Sequence, residues 1–341
     1  MELDTLTDLT QSRLKVKISR KDKSVESFAD DVLKGLSTQP KYLPPKYFYD
    51  KIGSKIFEEI CELKEYYPTR TESAILRKYA KEIASQFSTK TKLVELGSGN
   101  SVKTRLLIEA FLNRHRALHY LPIDISKTIL VESSRLLLKE YAGLKVTSYV
   151  SDYFTALEAF RRNNIGPKMF VFLGSNIGNF EPTEAELFLL KIHLAMTSED
   201  RLLIGMDLMK EKSVLESAYN DKPGVTAKFN LNLLHRINRD LEGEFDLAKF
   251  RHQAPLNEKL GRIEMHLESL HSQRIFIRKL DRHFEFEKGE TIHTENSYKY
   301  TDEQIRRLAN RNGFEIEHSW YDENKWFSLH LFKPEKVAQQ V

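Results

Sequence analysis

Three short runs of residues in this chain could hold ligands and do chemistry on them. The first is Glu95-Leu96-Gly97-Ser98-Gly99-Asn100-Ser101, where glycines let the backbone turn sharply and come close to a ligand. Asp124 lies 124 − 99 = 25 residues past Gly99, where an acidic side chain can accept both hydroxyls of a ribose. A dinucleotide fingerprint expects a third glycine at position 102, which is Val102, so the helix start is shaped less well for a pyrophosphate. That departure tilts the choice from NAD towards S-adenosylmethionine (SAM). In the second run, Asp152 and Tyr153 could hydrogen-bond and cover an adenine; the competing role for Asp152 is a helix N-cap before Thr155. The third run, Phe172-Leu173-Gly174-Ser175-Asn176-Ile177-Gly178-Asn179-Phe180, is small enough for two ligands to meet. Asn176 and Asn179 could be ordinary turn formers, but two amides and two glycines together favour a site.

The elements that position these runs follow from periodicity. From Lys92 to Leu208 short apolar runs are closed by Gly, Asp or Asn and followed by a helical period, which is βα alternation. Strands are expected at 93–96, 120–123, 146–150, 170–173 and 202–204, with helices near 103–114, 127–140, 155–163 and 183–196. Five parallel strands joined by right-handed crossovers give an α/β fold, a Rossmann-like doubly wound sheet that binds ligands beyond its strands' carboxyl ends. After Leu208 the alternation stops. Residues 211–260 read mainly as helices, with Leu231, Leu234, Ile237 and Leu241 as a packing stripe. Residues 262–286 alternate as strands, a helix follows near 302–312, and strands near 314–320 and 326–332 close the chain. The expected organisation is an N-terminal arm at 1–40, a second, α+β substrate-binding lobe at 41–90 and 209–300, and the doubly wound, cofactor-binding domain at 91–208 and 301–333.

Composition bounds the function. The 341 residues carry 53 Lys+Arg against 49 Asp+Glu, a net charge of +4, too small to imply a nucleic-acid partner. Hydrophobic residues make up 40% and charged residues 30%, an ordinary globular balance. Apolar stretches such as Met169 to Leu173 fall far short of the roughly 18 residues of a membrane span, and the start MELDTLTDLT lacks a secretory pattern. A cytoplasmic monomer acting on a small molecule is expected. The basic stretch Lys15 to Lys23 reads as part of a solvated, loosely attached arm. His115 and His119 lack a third ligand, so no metal is expected, and Cys61 beside Glu62 has nothing to lower its pKa.

Longer motifs, dispersed through the chain, carry a resemblance. They are Tyr47-Phe48-Tyr49-Asp50 with Gly53-Ser54, Tyr66-Tyr67-Pro68-Thr69-Arg70-Thr71-Glu72, the ELGSGNSVKT run from Glu95, and GSNIGNF from Gly174. Further along come Ala218-Tyr219-Asn220-Asp221, Arg262-Ile263-Glu264-Met265-His266 and His293-Thr294-Glu295-Asn296-Ser297-Tyr298. Over about residues 42–333 the chain resembles the SAM-dependent histidine Nα-methyltransferases, which make trimethylhistidine (hercynine), the precursor of ergothioneine. The resemblance implies that Gly97, Gly99, Lys103, Asp124, Asp152 and Tyr153 hold the methyl donor. It implies that Asn179 and Tyr219 hold the amino acid's carboxylate, that Tyr67 sits beside its amino group, and that Tyr49 is an additional pocket residue. Glu295 and Ser297 would read the two imidazole nitrogens, with Met265 near the ring and Gly174 in the substrate turn. A carboxylate plus a hydroxyl matches an imidazole that offers one N–H and one bare nitrogen. Two rivals stand beside this reading: a related methyltransferase of a tryptophan or tyrosine derivative, and a metabolite-binding module without turnover. The small turn and the tyrosines lead us to expect three successive methylations at one site, since aromatic groups accommodate a growing ammonium.

Overall fold

A computed structural model describes residues 3–6, 12–19, 28–163 and 165–335. The chain divides into two compact units, the first comprising residues 1–20, 68–208 and 300–341, the second 21–67 and 209–299. Elements are numbered in chain order.

The first unit is built on β4 (Lys92–Leu96), β5 (Leu118–Asp124), β6 (Leu144–Val150), β7 (Lys168–Phe172) and β8 (Arg201–Asp207). These five run parallel in the spatial order β6-β5-β4-β7-β8, the doubly wound arrangement expected from the alternation. Successive side chains of a strand point to opposite faces, and both faces are covered. On one, Leu93, Tyr120 and Met169 pack with Ile75, Leu76 and Ile83 of α3 (Tyr67–Ser85), Ile108 and Phe111 of α4 (Arg105–His115), and Leu137 of α5 (Lys127–Glu140). On the other, Val94, Leu121 and Phe170 pack with Leu157 of α6 (Tyr153–Arg162), Phe188 and Leu189 of α7 (Pro182–Leu194), and Ile305 of α10 (Asp302–Arg311). β15 (Phe314–Tyr321) and β16 (Phe327–Pro334) finish the sheet, β16 antiparallel to β8 and β15 antiparallel to β16. Helix α3 belongs to this unit from Pro68 onward, where the sequence division has 41–90 in the substrate lobe. Its apolar face is buried in the same cluster as β4.

Within 1–40 the structure has ordered elements where the sequence reads as a loose arm. β2 (Leu14–Ser19) pairs in parallel with β6, and β1 (Leu3–Leu6) pairs antiparallel with β2. Leu14 joins the core. The Arg13 guanidinium donates to the carbonyls of Leu138, at 2.8 Å, and Tyr141, at 2.9 Å, closing the end of α5 as basic side chains commonly do. The period-two alternation of Leu14, Val16 and Ile18 was the strand signal, obscured by the lysines between them. Part of the basic stretch, residues 20–23, lies outside the described residues.

The second unit holds α1 (Phe28–Ser37), β3 (Lys41–Tyr42), α2 (Lys51–Glu62), α8 (Lys212–Tyr219) and α9 (Val225–Leu241). Of the expected stripe on α9, Leu234, Ile237 and Leu241 are buried, with Leu233 beside them, while Leu231 is half-buried. Residues 250–257 are not helical. They form β9 (Phe250–Gln253) and β10 (Leu256–Asn257), both antiparallel to β11 (Arg262–Ser269); strands this short and polar carry no apolar run to read. β11 also pairs with β14 (Thr291–Tyr298), to which β3 adds in parallel, while β12 (Gln273–Ile277) and β13 (Arg282–Phe286) form a hairpin. Among the described residues no helix is long and apolar enough to cross a membrane.

Candidate active site

In the first unit the chain leaves β4 through Gly97 (φ +73°), Gly99 (φ +49°) and Ser101 (φ +56°), a run of left-handed conformations that glycine adopts at least cost. A Cβ at Gly97 would stand 2.5 Å from the Tyr153 hydroxyl, whereas one at Gly99 would meet nothing within 4 Å. Tyr153 is therefore held over the loop at one glycine, while the backbone at the other faces open space. The carboxylate of Asp124 is oriented by two backbone donors, the N–H of Gly99 at 2.9 Å and that of Ser126 at 2.8 Å, one on each oxygen. Each oxygen keeps a second lone pair, which suits the two hydroxyls of a ribose. Burial raises the Asp124 pKa, and the N–H groups of Ser126, Gly99 and Ile125 pull it back down. These features fit SAM. Below the loop, burial pushes Glu95 up to about 7 against the opposing hydroxyls of Thr104 and Tyr120.

Lys103 forms an ion pair with Glu72 of α3, whose side chain is fully buried. The same carboxylate accepts the Gly174 N–H, at 2.8 and 2.9 Å from its two oxygens. Glu72 thus joins the Lys103 ammonium to the turn that leaves β7. Room for it depends on Gly205, where a Cβ would lie 2.1 Å from Oε1. Asn179 ends the 3-10 turn Asn176–Asn179 that follows Gly174. Asp152 accepts the Thr155 N–H at 2.9 Å and N-caps α6.

In the second unit, Glu295 and Ser297 sit two residues apart on β14 and share a face. Met265 and Ile263 of β11 lie opposite them in register, and Met265 is buried. Glu295 is 8% exposed, and its Oε2 is buried without a hydrogen-bond partner. Burial pushes its pKa up to about 7, with Lys299 pulling the other way. The Ser297 and Tyr219 hydroxyls are 2.7 Å apart, so two residues given to opposite ends of the substrate lie next to each other. Lys299 donates to both, at 2.8 and 3.0 Å. Tyr66 packs edge-on against Tyr219 with ring centroids 6.1 Å apart. Its phenol pKa is raised by burial first, then by Tyr219, Cys61, Tyr49 and Glu295, so Tyr66 belongs with this group. Tyr49 packs against Phe57 and Phe229. Tyr67 is buried, with the Lys210 ammonium 2.7 Å from its hydroxyl and 4.2 Å from its ring centre.

A profile described as histidine-specific methyltransferase, SAM-dependent, matches residues 28–334. The chain belongs to that family. The methyltransferase is 40% identical over 301 residues to the histidine N-alpha-methyltransferase of Mycobacterium tuberculosis, covering 88% of this chain and 93% of the relative. To the enzyme of the same name from Mycolicibacterium smegmatis it is 38% identical, covering 91% and 96%. The ergothioneine biosynthesis protein 1 of Neurospora crassa is 31% identical over 88% of this chain, which spans 34% of that longer protein. The methyltransferase is thus an enzyme that uses SAM as methyl donor and acts on histidine. Sequence reasoning gave no role to Glu72, Tyr66, Lys210 or Lys299. For Lys299 a signal existed, since it continues the alternation of Glu295 and Ser297 by two residues.

Proposed function

We propose that this methyltransferase converts L-histidine, through its mono- and dimethyl forms, to Nα,Nα,Nα-trimethyl-L-histidine (hercynine), a step of ergothioneine biosynthesis. The names of the relatives support both the α-amino position and the pathway. The observation that carries the choice of ring is the unpartnered Oε2 of Glu295. A buried polar atom without a partner is costly, and an imidazole N–H would satisfy it.

In this proposal Gly97, Gly99, Lys103, Asp124, Asp152 and Tyr153 bind the donor, which supplies a methyl group on a sulfonium. Asn179 and Tyr219 take the substrate carboxylate, Glu295 and Ser297 take the ring, and Met265 and Gly174 shape its surroundings. Tyr49 and Tyr67 stand at the amine. The nitrogen lone pair forms the N–C bond as the C–S bond breaks, and each transfer from a protonated amine releases one proton. The residues contribute by holding nitrogen, carbon and sulfur in line, which can supply several kcal/mol of the barrier, up to about 7–11 in the best intramolecular cases. Aromatic rings near the amine accommodate the growing cation without binding it through strong hydrogen bonds. The same reading has a cytoplasmic monomer needing only its two small molecules, which cell fractionation and sedimentation velocity would check.

The test is to incubate the purified protein with SAM and a mixture of the standard amino acids, and to follow the products by mass spectrometry. Histidine alone should gain one, two and then three methyl groups. Methylation of a different amino acid would remove the Glu295 and Ser297 assignment, and product stopping at one methyl group under excess donor would remove processive trimethylation.

A further inference from the structure

The amino ends of β4, β5 and β6, at the other end of the strands from the Gly97 loop, gather positive charge. Lys92 opens β4, and His119 and Lys145 face each other in register near the starts of β5 and β6. Lys15 and Lys17 of β2 lie opposite Thr147 and Tyr149 of β6. Side chains two apart on a strand share a face, so Lys145, Thr147 and Tyr149 look the same way. With the other three lysines, His119 and Ile165 they enclose a recess of about 190 Å³. Lys17 donates to the Tyr149 hydroxyl at 3.3 Å, and His119 Nε2 is 2.8 Å from Thr147 Oγ1. Burial first, then Lys145, Lys92, Lys15 and Lys17, push the His119 pKa down to about 4, so all four ammonium groups act on one imidazole.

The neighbouring strand shows what a compensated lysine looks like here. Lys168 of β7, beside Lys92 in register, is buried and pairs with Asp200 at 2.7 Å. Among the described residues, Lys15, Lys17, Lys92 and Lys145 have no carboxylate within ion-pair distance. Lysines that protect a sheet from unwanted pairing sit on edge strands, whereas β4 and β6 each have strands on both sides. A cleft lined by charge of one sign over low-dielectric walls concentrates counter-ions, and Leu121, Ile165 and the Tyr149 ring supply such walls. Ammonium groups bind phosphate as point charges, while the flat fork that matches a carboxylate belongs to arginine; the cations of this lining are lysines. Four of them call for several negative charges on one small molecule. The recess, at about 190 Å³, is smaller than the roughly 300–1,000 Å³ of drug-sized ligand sites, which suits a short chain of phosphates. We propose that this recess binds a small oligophosphate, either inorganic or the phosphate chain of a nucleotide, at the end of the sheet away from the Gly97 loop.

Two measurements test this, both with saturating S-adenosylhomocysteine so that no nucleoside is drawn to the donor site, and both at low, fixed ionic strength. In the first, calorimetry follows phosphate, pyrophosphate, triphosphate and ATP. Triphosphate should bind saturably, one per chain, and more tightly than the shorter anions. Lys15 and Lys145 are exposed, and the Lys15→Gln, Lys145→Gln double variant should weaken triphosphate about 10-fold. Lys228→Gln with Lys249→Gln, an equal loss of charge in the second unit, should leave binding unchanged. In the second, the histidine rings are observed by NMR, with His119 assigned from the signal lost in His119→Asn. Triphosphate should shift the His119 signals and raise its pKa, since the bound anion offsets the four lysines. ATP binding more tightly than triphosphate identifies a nucleotide as the source, and equal binding identifies the phosphate chain alone; either supports the proposal. Absence of saturable binding, a double variant no weaker than the control, or an unmoved His119 overturns it. A short single-stranded RNA that displaces triphosphate at equal phosphate concentration assigns the surface to nucleic acid and overturns it too. If the Lys15→Gln, Lys145→Gln variant fails to fold, the His119 titration of the wild type decides alone.

Discussion

Two of the buried glutamates of this methyltransferase, Glu72 in the first unit and Glu295 in the second, are treated in opposite ways. Glu72 of the first unit is fully buried and fully engaged: Lys103 pairs with it and the Gly174 N–H reaches both oxygens. Glu295 of the second unit keeps one oxygen with no partner and has its pKa pushed up to about 7 by burial. A buried charge is tolerated when paired and hydrogen-bonded and is expensive otherwise. The first arrangement is therefore a frame, complete without ligand. The second keeps an acceptor open, as the proposed ring site requires.

The comparison breaks if Glu72 proves dispensable. Glu72→Ala strands the Gly174 N–H and leaves Lys103 without its anion. Removing one partner of a buried pair typically costs about 3–5 kcal/mol; because Lys103 keeps some access to water, about 3 is expected. Urea denaturation measures the loss, and the KM for SAM should rise along with it because Lys103 is no longer held. A variant within about 1 kcal/mol of wild type, the worth of one ordinary hydrogen bond, would mean that the pair frames nothing.

For Glu295 the signs separate function from stability. Glu295→Gln should raise the KM for histidine by about 10- to 100-fold, the worth of a hydrogen bond to a charged group. Its effect on folding should run the other way. The folded-state pKa is raised from 4.5 to about 7, so between these values the native state holds a proton that the unfolded chain has released. Wild-type stability from this group is complete below pH 4.5 and is lost as the pH rises through about 7. The variant lacks that loss, and relative to wild type it should gain stability from about pH 4.5 to pH 8, by at most about 3 kcal/mol. Denaturation of both proteins across this range gives the difference, in which the similarly raised Glu95 cancels. A flat difference would show that Glu295 is already satisfied in the free protein.

The frame was the easier of the two to read in advance. Short apolar runs such as Leu93 to Leu96, closed by Gly or Asp, mark parallel strands whatever surrounds them, and the doubly wound sheet follows. β2 escaped because its apolar residues alternate with lysines, and β9 and β10 escaped because they are four and two residues long. For the proposed site, the motifs name individual residues, but their partnerships were not legible. Glu72 meets Gly174 across 102 residues, and Lys299 meets Tyr219 across 80. No local period records such a meeting. The adjacency of Ser297 and Tyr219 is of the same kind, since each residue alone reads as an independent contact.

A smaller perturbation sharpens the idea of a preset frame. Gly97→Ala places a Cβ in a backbone with φ +73° and 2.5 Å from the Tyr153 hydroxyl. The left-handed conformation alone costs about 1–2 kcal/mol, and the steric clash adds to it. Adding Tyr153→Phe removes the hydroxyl and should recover the steric part, leaving the backbone part. Comparing the single and double variants by denaturation and by KM for SAM separates the two, and a double variant no better than Gly97→Ala would show that Tyr153 does not press on the loop.

The smallest effect concerns Asp152, where framing and binding compete within one side chain. Its carboxylate accepts the Thr155 N–H and caps α6, and losing such a cap costs about 1 kcal/mol. Asp152→Ala should lower stability by that amount. If the second carboxylate oxygen also meets the adenine, the KM for SAM rises too, while Asp152→Ser, which retains a capping oxygen, restores stability without restoring the KM. If Asp152→Ser restores both, then Asp152 belongs with Glu72 to the frame, and the adenine is held by Tyr153 and its neighbours.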